Sequence, residues 1–263
     1  MMAHSRHLAL PLFSLRFVHI WRRNLLVWRK LALPSMLGNL ADPMLYMLGF
    51  GYGLGRMLPS MSGTTYIAFL AAGTVCSSIM MSASFEAMYS GFSRMHVQKT
   101  WDAIMNAPVT LDDVLFGEAM WTASKSLLSG VAVLIVATAL GLTDSWLALW
   151  TLPIMFVTGL AFASLGLIMT ALSPSYDFFM YYFTLFITPT MLLSDVFFPA
   201  DQLPPLLQDA GAFLPLSHAV ALVRPLMHHT VPGNIALHVG VLALYAGAGF
   251  YIALVLTRRR LLR

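Results

Sequence analysis

Few side chains in this sequence stand where they could do covalent chemistry. A phosphate-cradling P-loop needs glycine directly before its lysine. The residues before Lys30, Lys99 and Lys125 are Arg29, Gln98 and Ser124, so ATP cannot be held that way. No H-E-x-x-H is present, and adjacent His228 and His229 point to different faces of any helix, so no metal site is expected. Cys76, the single cysteine, excludes an intrachain disulfide and any centre built on cysteine spacing. An intramembrane serine protease would pair a glycine-flanked serine on one apolar segment with a histidine on another. Ser164 and His238 lie in such segments, but Ala163-Ser164-Leu165-Gly166 lacks the Gly-x-Ser-Gly arrangement. No catalytic residue and no cofactor is therefore expected on this chain.

The remaining polar groups of interest sit in apolar stretches. Glu118 and Lys125 are seven residues apart, two helical turns, and share a helix face. An unpaired charge in hydrocarbon costs roughly 2.5–3.5 kcal/mol, so Lys125 either snorkels to the surface or pairs, and it then lines an entrance for a polar head group. Asp42 precedes Pro43, roughly 12 Å into an apolar helix. That pair marks either a kinked gate or an interfacial helix break. Phe178, Phe179, Tyr181, Tyr182, Phe183 and Phe186 crowd one segment. They suit sugar rings and acyl chains, and equally an interfacial aromatic belt. Gly49, Gly51, Gly53 and Gly55 form two interlocked pairs four residues apart, which fits a dimer seam or close packing within one chain.

The elements that carry these groups are membrane-spanning. Of 263 residues, 59% are hydrophobic and 10% charged, and the mean hydropathy is +0.77. A soluble domain carries about 25% charged residues, so soluble enzyme folds are excluded. Crossing a core about 30 Å thick takes about 20 apolar residues. Cutting the chain at its charges leaves six candidate spans, within 33–55, 57–85, 114–140, 145–172, 178–194 and 235–257. The expected fold is an all-α, six-helix polytopic membrane protein.

The net charge of +4 is not a nucleic-acid signature, because the basic residues flank the spans. Arg6, Arg16, Arg22, Arg23, Arg29, Lys30, Arg94, Lys99, Arg258, Arg259, Arg260 and Arg263 fall on one side, against Arg56 and Arg224 on the other. This bias makes the first side, with both termini, cytoplasmic. It also favours an even number of crossings.

Three segments outside the spans are informative. Residues 1–32 form a cytoplasmic N-terminus, within which Phe17, Ile20, Trp21, Leu25 and Trp28 share a face among arginines, as in interfacial amphipathic helices. The cytoplasmic loop 89–113 has room for a short helix, ended by Asn106-Ala107-Pro108. The outer segment 195–229 is punctuated by prolines and suggests short re-entrant helices. A single permease domain, 33–257, and a basic tail, 258–263, complete the division. No internal repeat is visible.

The order of these features, without a nucleotide site, describes the membrane half of a machine powered elsewhere. The sequence resembles the type-2 ATP-binding-cassette exporter permeases, in particular the nodulation protein J, lipooligosaccharide-export subfamily. The resemblance rests on Trp21-Arg22-Arg23-Asn24, Trp28-Arg29-Lys30-Leu31-Ala32-Leu33-Pro34-Ser35 and Gly38-Asn39-Leu40-Ala41-Asp42-Pro43. It continues through Thr100-Trp101-Asp102-Ala103-Ile104, Pro108, Gly117-Glu118, Phe197-Phe198-Pro199 and Leu203-Pro204. Leu214-Pro215-Leu216-Ser217-His218 and Arg224-Pro225-Leu226 complete it. Asp195 departs from the pattern, which has glycine before Phe-Phe-Pro.

The resemblance implies a homodimeric permease of a bacterial inner membrane. Its partner would be a cytoplasmic ATPase resembling nodulation protein I, which carries the ATP and Mg. Its cargo would be an amphiphilic glycolipid, a lipo-chitin oligosaccharide in the nodulation case. It also implies that loop 89–113 is a coupling helix, with Arg94, His96, Lys99, Trp101 and Asp102 on the ATPase-docking surface. Asp42, Pro43, Glu118, Lys125, Tyr181, Tyr182, Phe197 and Phe198 are the residues expected along the gate and path. A permease of the same architecture for a drug or polysaccharide, a self-sufficient channel and an intramembrane enzyme are the alternatives.

Overall fold

A computed structural model describes residues 8–55, 57–58, 64–143 and 145–262. Arg6, Arg56 and Arg263, which enter the charge asymmetry, lie outside the described residues. No strand occurs among the described elements. Helix α1 (Phe17–Arg29) leads into α2 (Ala32–Gly53), and α3 (Tyr66–Phe85) follows. Two π-helical turns, Glu86–Ser90 and Ser93–Val97, extend α3 into one rod over Tyr66–Val97. Next come α4 (Thr100–Met105), α5 (Leu111–Ala139) and α6 (Thr151–Leu172), the last preceded by a 3-10 turn at Trp146–Trp150. A broken segment follows: α7 (Phe179–Tyr182), a π turn (Phe183–Ile187) and α8 (Thr188–Leu193). The short outer helices α9 (Pro205–Ala212) and α10 (Pro215–Met227) precede α11 (Ile235–Leu261).

Among the described residues four helices are long and apolar enough to cross a membrane: Tyr66–Val97, Leu111–Ala139, Trp146–Leu172 and Ile235–Leu261. A fifth arises if α9 and α10, bent by 85°, count as one crossing. The expected count of six is met at four positions. Segment 33–55 is helical over 22 residues, about 33 Å, yet Asn39, Asp42 and Pro43 lower its hydropathy. Segment 178–194 is helical but interrupted by the π turn, so neither piece is span-length.

The uncharged, small-residue sequence of α3 makes it the axis of the bundle. Across its most apolar window 89% of the residues are buried, against 33% for α11. α2, α5, α6 and α10 pack directly on α3, while α11 lies along α6. Small side chains let these helices approach closely. The outer segment is drawn in as well: a Cβ on Gly73 would sit 2.6 Å from the Val196 carbonyl oxygen.

Both chain ends fold onto α5. Thr110 and Asp113 form a capping box at its start. Asp112 accepts from the Leu12 backbone N–H (3.0 Å) and from Arg258 Nε (3.1 Å) and Nη2 (2.5 Å). Arg258 also donates to the Ala9 carbonyl, and Tyr251 to that of Leu8 (2.8 Å). Arg260 Nη1 donates to the carbonyls of Thr170, Ala171 and Ser173, at the end of α6, where a helix leaves carbonyls unpaired. The expected basic tail therefore continues α11 as far as Leu261.

Candidate functional site

Glu118 and Lys125 do share a face of α5, but each is paired with α3 rather than with the other. Arg94 Nε donates to Glu118 Oε1 (3.0 Å) and Oε2 (3.1 Å), and its Nη2 donates to Glu118 Oε2 (2.6 Å) and Glu86 Oε1 (3.0 Å). Lys125 Nζ donates to Glu86 Oε2 (2.7 Å). Two indoles complete the set: Trp101 Nε1 donates to Glu118 Oε1 (3.1 Å) and Trp121 Nε1 to Glu86 Oε1 (2.9 Å). Both carboxylates are buried, and their charges cancel those of the two cations.

The backbone makes this network possible. Eight residues of regular α-helix turn through about 800°, leaving Arg94 about 80° away from the Glu86 face. The π turns, closing i→i+5 bonds, absorb the surplus and stack both side chains on one side. Such turns are frequent at functional sites. Glu86 went unread in the sequence because the apolar run ends at Phe85 and the next residues look like loop. The available signal was Lys125 itself, since an intramembrane cation is almost always paired. Because these charges are satisfied, helix α3 continues to Val97 where a loop starting at residue 89 was expected.

Two cavities meet at this network. One, of about 410 Å³, opens between α2 and α3 and is lined by Asn39, Asp42, Pro43, Tyr46, Ser77, Ser78, Ser82, Glu86 and Lys125 among others. Several polar groups stand in its wall: Asn39 Nδ2 donates to Ser82 Oγ (3.3 Å), and Ser78 shares a hydrogen bond with Ser129 behind it (2.8 Å). The other, of about 540 Å³, lies under α1 and includes Arg23, Asn24, Trp28, Arg94, Gln98 and Tyr176. Glu86, Tyr89, Ser90 and Lys125 line both.

The residues expected along the path thus divide. Asp42, Pro43 and Lys125 line the α2–α3 cavity, and Glu118 is buried behind it, linked to the wall residue Glu86 through Arg94. Tyr181 faces outward and Tyr182 is buried; neither borders the cavity. Phe197 sits against Tyr46 (5.8 Å between centroids) and Phe50 (5.9 Å), closing the outer end of α2, and Phe198 is half-buried beside it.

Along the expected docking surface, His96, Lys99 and Asp102 are exposed. Trp101 is fully buried and Arg94 nearly so, both spent on Glu118. They hold α4 from beneath. Lys99 occupies the left-handed region at φ 50°, turning the chain sharply from α3 into α4. The Asn106-Ala107-Pro108 stop ends α4 at Met105, as its sequence indicates.

Helix α1 lies on α5 through the face read from its sequence. A Cβ on Gly117 would be 2.7 Å from Ile20 Cβ, so glycine there is required by the close approach. Trp21 Nε1 donates to Ser124 Oγ (3.0 Å), and the Trp28 ring meets Trp121 edge-on at 5.8 Å. Burial, then nearby Arg94, lowers the pKa of Arg23 on this helix, while Glu118 acts in the opposite direction.

The glycine ladder separates into two faces. A Cβ at Gly51 would strike Ile67 Cγ1 at 2.6 Å and one at Gly55 would collide with the Gly51 carbonyl, whereas Gly49 and Gly53 face open space. At the outer end, Asp195 has φ 57°, the conformation glycine adopts freely and Asp tolerates. Its side chain accepts from the Ala200 N–H, its carbonyl accepts from Arg224, and its carboxylate lies 3.6 Å from Arg224 Nη1. These contacts hold the left-handed turn without glycine. Arg224 stacks over Phe69 at 3.8 Å.

A multi-pass helical body with a lateral cavity that carries polar groups in its wall, and a loop helix anchored beneath it, has the organisation of a membrane transport permease. Residues 16–228 match the family model described as ABC-2 type transporter, and the chain belongs to that family. It is 49% identical over 255 residues to nodulation protein J of Rhizobium leguminosarum bv. viciae, covering 97% of this chain and 98% of that protein. It is 46% identical over 254 residues to nodulation protein J of Rhizobium meliloti (strain 1021), covering 97% of each. To the inner membrane transport permease YadH of Escherichia coli (strain K12) it is 22% identical over 211 residues, covering 78% of this chain and 80% of that one. The resemblance read from the motifs is borne out. The chain is an ABC transporter permease subunit, a transport component rather than a catalytic one.

Proposed function

We propose that this permease exports an amphiphilic lipooligosaccharide of the lipo-chitin class across a bacterial inner membrane, with both termini cytoplasmic. In this reading the family membership implies a separate ABC ATPase, resembling nodulation protein I, that binds ATP and Mg. The name shared by the nodulation protein J relatives supports the cargo class. Two copies pair along α2, with Gly49 and Gly53 offering the free small-residue face. Helix α2 and the broken α7–α8 segment serve as the first and fifth of six crossings, their polar or irregular backbone facing protein and the cavity.

One observation carries the reading. An unbroken chain of contacts runs from the exposed α4 turn through Trp101, Glu118 and Arg94 to Glu86 on the cavity wall. Force applied at α4 would reach the side chains that border the cargo. In this scheme His96, Lys99 and Asp102 meet the ATPase directly, while Arg94 and Trp101 fix the angle of α4. The test is reconstitution with the ATPase in vesicles. Lys99→Glu and Trp101→Ala are expected to leave membrane insertion intact and ATP hydrolysis running, but to abolish cargo movement. Normal export by both variants removes the coupling role.

A further inference from the structure

We propose that the cavity beneath α1 is a binding site for an anionic lipid, its phosphate ester held by Arg23 and Asn24. The cavity is about 540 Å³ and lies between α1, the π turns of α3 and α5. Arg94 and Lys125 in its wall are neutralised by Glu86 and Glu118. Arg23 is different. Among the described residues no carboxylate forms an ion pair with it, and its hydrogen bond goes to Asn24 Oδ1 (3.0 Å). The site therefore holds one positive charge in excess.

Asn24 supplies an independent sign of a missing ligand. It is 3% exposed, and its Nδ2 is buried with no acceptor. Because Oδ1 is taken by Arg23, the amide is oriented with Nδ2 as the free donor. An unsatisfied buried donor costs roughly 1–3 kcal/mol. A guanidinium with no carboxylate in ion-pair range and an amide without an acceptor, on adjacent residues that line one cavity, together match an oxyanion. The burial that disfavours the Arg23 charge is the condition an incoming anion would relieve.

The surroundings indicate that the anion is the head of a lipid. Leu26 and Val27, beside the site on α1, are half exposed and lie next to Arg22, Arg29 and Lys30. Apolar and basic residues mixed in this way suit the boundary of an anionic leaflet. This site is independent of the transport reading, because its test contains no ATPase and no cargo.

The experiment measures binding by native mass spectrometry and calorimetry on the full chain in an uncharged detergent. The probes are dihexanoyl phosphatidic acid, dihexanoyl phosphatidylcholine and inorganic phosphate. Phosphatidic acid is expected to bind tightest. Arg23→Gln should weaken it about thirtyfold, the value of one charge-assisted hydrogen bond, while Arg22→Gln on the exposed face should not. Asn24→Leu keeps the arginine and removes the second donor, so it should also weaken binding even if Arg23→Gln fails to fold. Unchanged affinity in Arg23→Gln or Asn24→Leu, or an equal loss in Arg22→Gln, overturns the site. Inorganic phosphate binding as tightly as phosphatidic acid would assign the site to a free anion and overturn the lipid.

Discussion

Replacing Glu86 by glutamine keeps the shape of the side chain and removes the charge that two cations share. Lys125 loses its 2.7 Å partner, and Arg94 keeps only Glu118. Stranding one member of a buried pair costs about 3–5 kcal/mol. Lys125 is 15% exposed along two cavities, so water offsets part of this and about 3–4 kcal/mol is expected. Lys125→Met alone removes one charge-assisted bond, worth about 2 kcal/mol, because Glu86 still holds Arg94 and Trp121. If the two sites were independent, the double variant would lose about 5–6 kcal/mol. Coupled through the ion pair, it should lose only about 3–4, a coupling energy of about 2 kcal/mol. Unfolding in detergent by titration with sodium dodecyl sulfate, followed by circular dichroism, measures all three. Additive losses would refute the claim that Lys125 is held by Glu86.

Other substitutions probe other parts of the architecture. Gly117→Val should overpack against Ile20 and cost about 1–3 kcal/mol, releasing α1, which limited proteolysis would detect as faster cleavage within residues 8–30. Asp195→Ala should be less stable than Asp195→Gly by about 1 kcal/mol, since only glycine adopts φ 57° without cost, and thermal unfolding in detergent ranks the two. Gly49→Phe should leave the fold intact and shift the protein toward monomer in analytical ultracentrifugation. Gly51→Phe should instead unfold α2 against Ile67; identical behaviour of the pair would remove the distinction between the faces.

Much of this was legible in the sequence for identifiable reasons. Long apolar runs marked the four robust spans, one of them despite Glu118 and Lys125 within it, and Asn106-Ala107-Pro108 marked the end of α4 because a proline cannot prolong a helix. The shared face of α1 was visible in the spacing of Phe17, Ile20, Trp21 and Trp28. What stayed hidden depends on rotation and on distant partners. Spacing of four residues cannot say whether Gly49 or Gly51 faces inward, because the turn of α2 about its axis is set by α3. The π turns have no composition signature, so the stacking of Glu86 over Arg94 could not be read. Asn39, Asp42 and Pro43, which lower the apolarity of α2, also line the cavity: the same residues weaken the span and furnish the site.

The clasp on Asp112 joins positions near opposite ends of the chain, Leu12 and Arg258. During biosynthesis residue 258 leaves the ribosome long after residue 12, because synthesis proceeds at about 5–20 residues per second. The amino-terminal segment therefore waits many seconds for the arginine that secures it. Closure of the bundle is consequently a late event, and a chain cut short before residue 258 would leave the segment around Leu12 without the arginine that secures it.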